Sequence, residues 1–235
     1  MKKRGQVSTF IIIAIIILIV ISVFFLFYSP VKNKPDFSDN SLKSAILDCL
    51  GKTARQGIYE IGSTGGYYNL TGIPSEEGIS YYEIYNQLKI PDKEIIEKEL
   101  SNYVNDNLGK CIENQKVFNI TFNEKIKSGC KINAESVNVK LNSRISYKKG
   151  EETVNFDNFD AQISTRFYVL YNIAQNFSKI YQENQGIDFT FISQISEDYG
   201  VVFYMQDYGN YIQIQLQDKK GVEGNYFEYN FLLGK

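Results

Sequence analysis

Three cysteines, several paired carboxylates and a large stock of tyrosine are the chemically capable side chains of this 235-residue chain. Histidine is absent, which removes Ser-His-Asp and Cys-His nucleophilic catalysis, His-ligated zinc and haem, and the usual proton shuttle near neutral pH. Cys49, Cys111 and Cys130 contain no Cys-x-x-Cys pair, so neither a metal site nor a cofactor is assigned. Glu151, Glu152, Asp157 and Asp160 form a local acidic cluster whose oxygens suit Ca²⁺, but their spacing fits no calcium loop, and solvated hairpin residues explain them better. Glu76-Glu77 reads as loop charge, and Asp92 with Glu94 as helix N-terminal charge that complements the dipole. Two carboxylates suffice for glycosidase chemistry, yet no pair is marked out by its spacing. The Gly62–Gly66 stretch lacks the Lys of a phosphate loop. No catalytic residue is therefore named, and the chain is expected not to be an enzyme.

The cysteines need elements to position them. Leu42, Ile46, Leu50, Ala54 and Ile58 recur every four residues with Ala45 and Cys49 beside them, which predicts a helix from Ser41 to about Ile61, stopped by Gly62, Gly65 and Gly66. Pro91-Asp92 opens a second helix with Pro in its first turn; Ile96, Leu100, Val104, Leu108 and Ile112 form its stripe, flanked by Cys111. Packing the two stripes brings Cys49 and Cys111 together. In an oxidising compartment a Cys49–Cys111 disulfide then closes a loop of about 60 residues, a stabilisation of roughly 3–4 kcal/mol in the chain-entropy model. Two reduced core cysteines are the alternative. Cys130, after Ser128-Gly129, is free, buried or an alternative partner.

Residues 67–87 read as loops with a short extended piece. Beyond about residue 117 the period changes: Val137, Val139 and Leu141 alternate with polar residues, so 131–149 is strand-like, and 160–167 adds another strand. Val169, Ile173, Phe177 and Tyr181 return to helical spacing, ending near Gly186. Ile212, Ile214 and Leu216 alternate strictly with Gln213, Gln215 and Gln217, and 200–233 is read as a three-stranded antiparallel meander. With 18 Tyr and 16 Phe but no Trp, the rings are expected to fill the core with hydroxyls at its edge. The fold class is α+β, with about three helices and antiparallel sheet: a helical part over 41–115 and a β-rich part over 117–235.

The first 29 residues stand apart. From Phe10 to Tyr28 only Ser22 is clearly polar, a run of about 19 residues that spans about 28 Å as a helix, close to the bilayer's hydrocarbon thickness. A cleavable secretory signal would be shorter and end in a small-x-small site. Lys2, Lys3 and Arg4 flank the run on one side, so the N-terminus is expected in the cytoplasm and the remainder outside the cell membrane, in a single pass. Residues 30–40, with Pro30 and Pro35, read as a linker, leaving 41–235 as the extracytoplasmic domain. Setting the three flanking cations aside, 25 basic against 27 acidic residues becomes an excess of about five negative charges, and nucleic acid is not an expected partner. Asn69, Asn119 and Asn176 head Asn-x-Ser/Thr triplets compatible with glycosylation outside the cell.

Lys2-Lys3-Arg4-Gly5-Gln6-Val7-Ser8, running straight into the apolar stretch, resembles the class III signal peptide of archaeal type IV pilin-like proteins. The resemblance implies cleavage at Gly5–Gln6 by a prepilin-type peptidase, with the apolar helix kept on the mature protein. It covers about 25 residues. Phe10 stands where that family often has a Glu that registers subunits in a filament, so the resemblance carries processing further than assembly. Cys49, Gly65-Gly66-Tyr67, Leu100-x-x-Tyr103 and Leu108-x-x-Cys111 are also similar to a loose group of membrane-anchored archaeal proteins with the same N-terminus, a likeness that brings no activity with it. The expectation is a membrane-anchored, non-enzymatic cell-surface protein, pilin-like or acting in adhesion or envelope interaction, with membrane lipid, the peptidase, other envelope proteins or its own copies as partners. A ligand-binding module or a carboxylate-based hydrolase on the same anchor is the alternative.

Overall fold

The computed structural model describes residues 15, 17, 18, 39–114, 120–122, 125–149 and 152–235. The Gly5–Gln6 junction, most of the expected membrane helix and linker, Asn119 and Glu151 lie outside them. Ile15, Ile17 and Leu18 are helical and exposed. Among the described residues no helix is long and apolar enough to cross a membrane. Residues 1–38 and 39–235 form separate units, and the second carries the α+β fold.

Helix α1 (Asp39–Ser63) packs along α2 (Lys93–Asn114). The two sequence stripes are the packed faces: Leu42, Ile46, Leu50, Ala54 and Ile58 are buried against Ile96, Leu100, Val104 and Leu108. Close approach is achieved at Gly57, where a Cβ would stand 2.7 Å from the Leu100 and Tyr103 side chains. The boundaries correct the sequence reading in three places. Helix α1 takes in the end of the expected linker. It also runs through Gly62, which lies so close to Phe227 that a Cβ would fall 2.5 Å from its ring; this glycine serves packing, and the turn is made by Gly65 and Gly66, at φ +78° and +95°. Pro91 precedes α2 rather than sitting in its first turn, and its carbonyl accepts the Tyr171 hydroxyl at 2.9 Å.

Three sheets complete the domain. In chain order the strands are β1 (Ser75–Glu76), β2 (Ile79–Ile84), β3 (Gln87–Leu88), β4 (Ile120–Phe122), β5 (Ser128–Ile132), β6 (Ser136–Leu141), β7 (Ile145–Lys149), β8 (Glu152–Phe156), β9 (Phe159–Ser164), β10 (Val202–Asp207), β11 (Tyr211–Val222) and β12 (Asn225–Gly234). Strands β5-β6-β9 form one antiparallel sheet, which packs on α1 and α2, and β4-β7-β8 form another. The large sheet runs β1-β2-β12-β11-β10, with β3 paired to β2. Its β10-β11-β12 portion is the expected meander, with Leu216 opposite both Phe203 and Tyr229.

Two features depart from the expected pattern. Strand β2 is the short extended piece expected within 67–87, but it pairs with β12 in parallel, so the sheet is not wholly antiparallel. Ser80, Tyr81, Tyr82 and Glu83 are all buried; a strand covered on both faces shows no polar–apolar alternation to read. Among the described residues from 39 onward there are four helices, not three. Helix α3 (Phe167–Asn184) was expected; α4 (Phe189–Tyr199) was not. Its signals are local: Asp188 caps the N-terminus by accepting the Thr190 and Phe191 amides, and Gly200 closes the C-terminus at φ +66°.

Candidate functional site

The covalent feature of the domain is the Cys49–Cys111 disulfide, with Cα atoms 5.7 Å apart and a sequence separation of 62. It ties α1 to α2 as the stripes require. Cys130 is a free, buried cysteine on β5. Burial pushes its thiol up to about 11, the Ser101 hydroxyl opposing this and the nearby Glu97 adding to it. Such a thiol is a core group rather than a nucleophile. Glu97, buried in α2, takes Lys131 Nζ at 2.7 Å and the Ile132 amide at 2.9 Å, binding α2 to β5. Tyr82 and Tyr229 are fully buried, and their hydroxyls hydrogen-bond to each other; desolvation raises both phenols well above their usual range.

Two described members of the acidic cluster face basic side chains. Asp157 pairs with Arg144 at 3.2 Å, and Asp160 stands opposite Lys140 in the β6–β9 register. No group of three or more Cys, Asp or Glu suited to a metal ion occurs among the described residues. Asn69 lies in an exposed turn where its side-chain oxygen accepts the Thr71 amide at 2.9 Å. Asn176 is exposed on α3, but Ser178 of its triplet is buried, its hydroxyl donated to the Ala174 carbonyl at 2.8 Å.

Two open clefts bring polar side chains together. One, about 540 Å³, lies between α1, α2 and β12 and includes Glu60, Glu228 and Tyr226. There the Tyr226 hydroxyl is already donated to Glu228 at 2.6 Å. The other, about 600 Å³, falls within the usual size of a ligand site. It forms where the β2–β3 turn, the end of α3, the start of α4 and the β11 and β12 ends converge.

Local structure fixes each wall of this second cleft. Strands β2 and β3 are joined by the two residues Tyr85-Asn86 at φ +52° and +61°, a type I′ turn whose twist suits the hairpin. The end of α3 clamps that turn: Gln182 Nε2 donates to the Asn86 carbonyl at 2.7 Å, and Gln185 Nε2 to Asn86 Oδ1 at 3.0 Å. Tyr85 is thereby held outward, 85% exposed, and Phe189 of the same lining is 68% exposed. Glu83 lines the cleft although only 4% of its surface is exposed. Desolvation raises its carboxyl above the usual range, opposed by the Asn86 amide. Lys235, the cation among the lining residues, is held by both Asp207 carboxylate oxygens at 2.6 Å.

None of these residues was singled out from the sequence. Tyr85-Asn86 lacks the Asn-Gly or Asp-Gly signature of a tight hairpin, and Glu83 reads as one loop carboxylate among many. No family model, curated protein or solved structure matches this chain.

Proposed function

We propose that this chain is a membrane-anchored, non-enzymatic cell-surface protein whose N-terminus is cytoplasmic and whose disulfide-braced domain works outside the membrane, in a pilin-like role or in adhesion and envelope interaction. The observation that carries the reading is the Cys49–Cys111 bond, because such crosslinks form and persist in oxidising, extracytoplasmic settings. The one-sided Lys2-Lys3-Arg4 flank and the apolar run from Phe10 to Tyr28 supply the anchor and its direction. The Gly5–Gln6 junction gives the prepilin-type peptidase its place to cut.

Protease added to intact spheroplasts tests the topology: digestion of the domain is expected, and full protection would reverse it. Mass spectrometry of the native protein tests processing, with Gln6 as the expected first residue and an intact Met1 end as the refuting one. The alternative, an anchored ligand-binding module, is favoured by the cleft around Glu83, where aromatic and polar walls meet a desolvated carboxyl.

A further inference from the structure

A carboxylate withdrawn from water is costly unless a counter-charge or a full set of donors compensates it. Glu83 has neither among the described residues: its oxygens take part in no ion pair there, and its one evident donor is the Asn86 amide. The cation that lines the same cleft is spent on Asp207, with two contacts at 2.6 Å. The facing group Tyr181 donates its hydroxyl away from Glu83, to the Gly234 carbonyl at 3.3 Å. The same cleft is lined by two large rings that the fold leaves in solvent, Tyr85 and Phe189. Tyr85 occupies a left-handed backbone position where Asn or Gly is the ordinary choice.

We infer that the cleft bounded by Glu83, Tyr85, Tyr181 and Phe189 binds an organic ammonium group, which seats against the Glu83 carboxylate while its alkyl stem lies between the two rings. The chemistry of the walls selects this class. A carboxylate in the lining disfavours phosphate and carboxylate ligands, and aromatic faces attract cations through their quadrupole and cover methylene groups at the same time. A neutral ligand of the same shape gains the rings and leaves Glu83 without a counter-charge. The ammonium is supplied either by a free polyamine or by a lysine side chain of another protein, and these differ in what surrounds the stem. The inference rests on the cleft and is independent of how the chain is anchored.

The test uses the full chain in detergent and calorimetric titration with 1,5-diaminopentane, with Nα-acetyl-lysine N-methylamide, and with 1,5-pentanediol as the uncharged match. At least one amine is expected to bind, with the diol weaker by about tenfold or more. Glu83→Gln should weaken the amine by about tenfold or more through loss of the counter-charge. Tyr85→Asn, which keeps the left-handed turn and removes the ring, should weaken it by about threefold or more. Tighter binding of diaminopentane assigns a free polyamine, and tighter binding of the lysine amide assigns a protein side chain. Continued protection of the buried Cys130 thiol from alkylation verifies that each variant is folded. The inference is overturned by equal binding of diol and amine, by unchanged amine affinity in folded Glu83→Gln, or by no binding of either amine up to about 10 mM.

Discussion

Helices α1 and α4 both carry apolar residues at helical spacing, yet they are held in opposite ways. Helix α1 is enclosed between α2 and the β5-β6-β9 sheet, touches β12, and is bonded covalently to α2. Helix α4 has no buried residue; Phe191, Ile192 and Ile195 rest on the core as a lid rests on a rim. Its principal neighbour, β10, is an edge strand with exposed residues along nearly its whole length. Amphipathic spacing decides which face turns inward, while the layers above and below decide how much that face stabilises. Local unfolding should therefore begin at α4 and β10, and the braced half should set the global limit.

The largest test of this contrast removes the brace. Cys49→Ser with Cys111→Ser should lower stability by about 4 kcal/mol, the loop-closure contribution for an enclosed segment of this length, and mild reduction of the wild type should do the same. Thermal melts followed by circular dichroism measure it, and an unchanged midpoint would remove the brace from the account. Next comes the contact that ties α4 to the body. Arg166 pairs with the buried Asp218 at 3.0 Å and donates Nη2 to the Tyr199 carbonyl at 2.9 Å. Arg166→Ala strands the Asp218 carboxylate, a cost of about 3 kcal/mol. In hydrogen exchange the loss of protection should spread over α4 and β10 before it reaches α1.

Ile195→Ala should cost about 1 kcal/mol or less, because only part of the side chain leaves water, whereas Leu50→Ala in α1 should cost about 3 kcal/mol through the cavity it opens. Comparable losses at the two positions would break the comparison. Smallest is the pH effect at Glu83. Its carboxyl is raised on folding by desolvation, so the folded state binds its proton more tightly than the unfolded chain does. That contribution is present below the unfolded pKa and is lost as pH rises through the folded value. Glu83→Gln should thus melt above the wild type at pH 7 and lose that advantage near pH 4.

The braced half was legible because its signals repeat. Five apolar residues at spacing four in each of α1 and α2, with a cysteine beside each stripe, specify two faces and a crosslink together. The alternation of Ile212, Ile214 and Leu216 with glutamines likewise specifies a half-buried strand. Strand β2 was legible only as a short extended piece within 67–87, because burial on both faces erases the alternation that marks a strand's bounds, and α4 was missed because eleven residues with no buried position resemble a loop as much as a helix. The cleft was illegible for a different reason. Glu83, Tyr181 and Lys235 meet only through the parallel β2–β12 pairing and the clamp of α3 on the Tyr85-Asn86 turn, and no local pattern announces a long-range pairing.

The placement of β12 between β2 and β11 has a consequence for how the molecule is made. A ribosome adds about 5–20 residues per second, and roughly 140 residues separate the end of β2 from the start of β12. For something like 7–30 seconds, therefore, β2 has no parallel partner, while α2 and the β5-β6-β9 sheet are made and find theirs within that interval. Through that interval the edge of β2 that β12 will cover, with Tyr81 and Tyr82, is open to anything that binds bare strands. When β12 arrives it joins β2 to β11, and the large sheet closes around it.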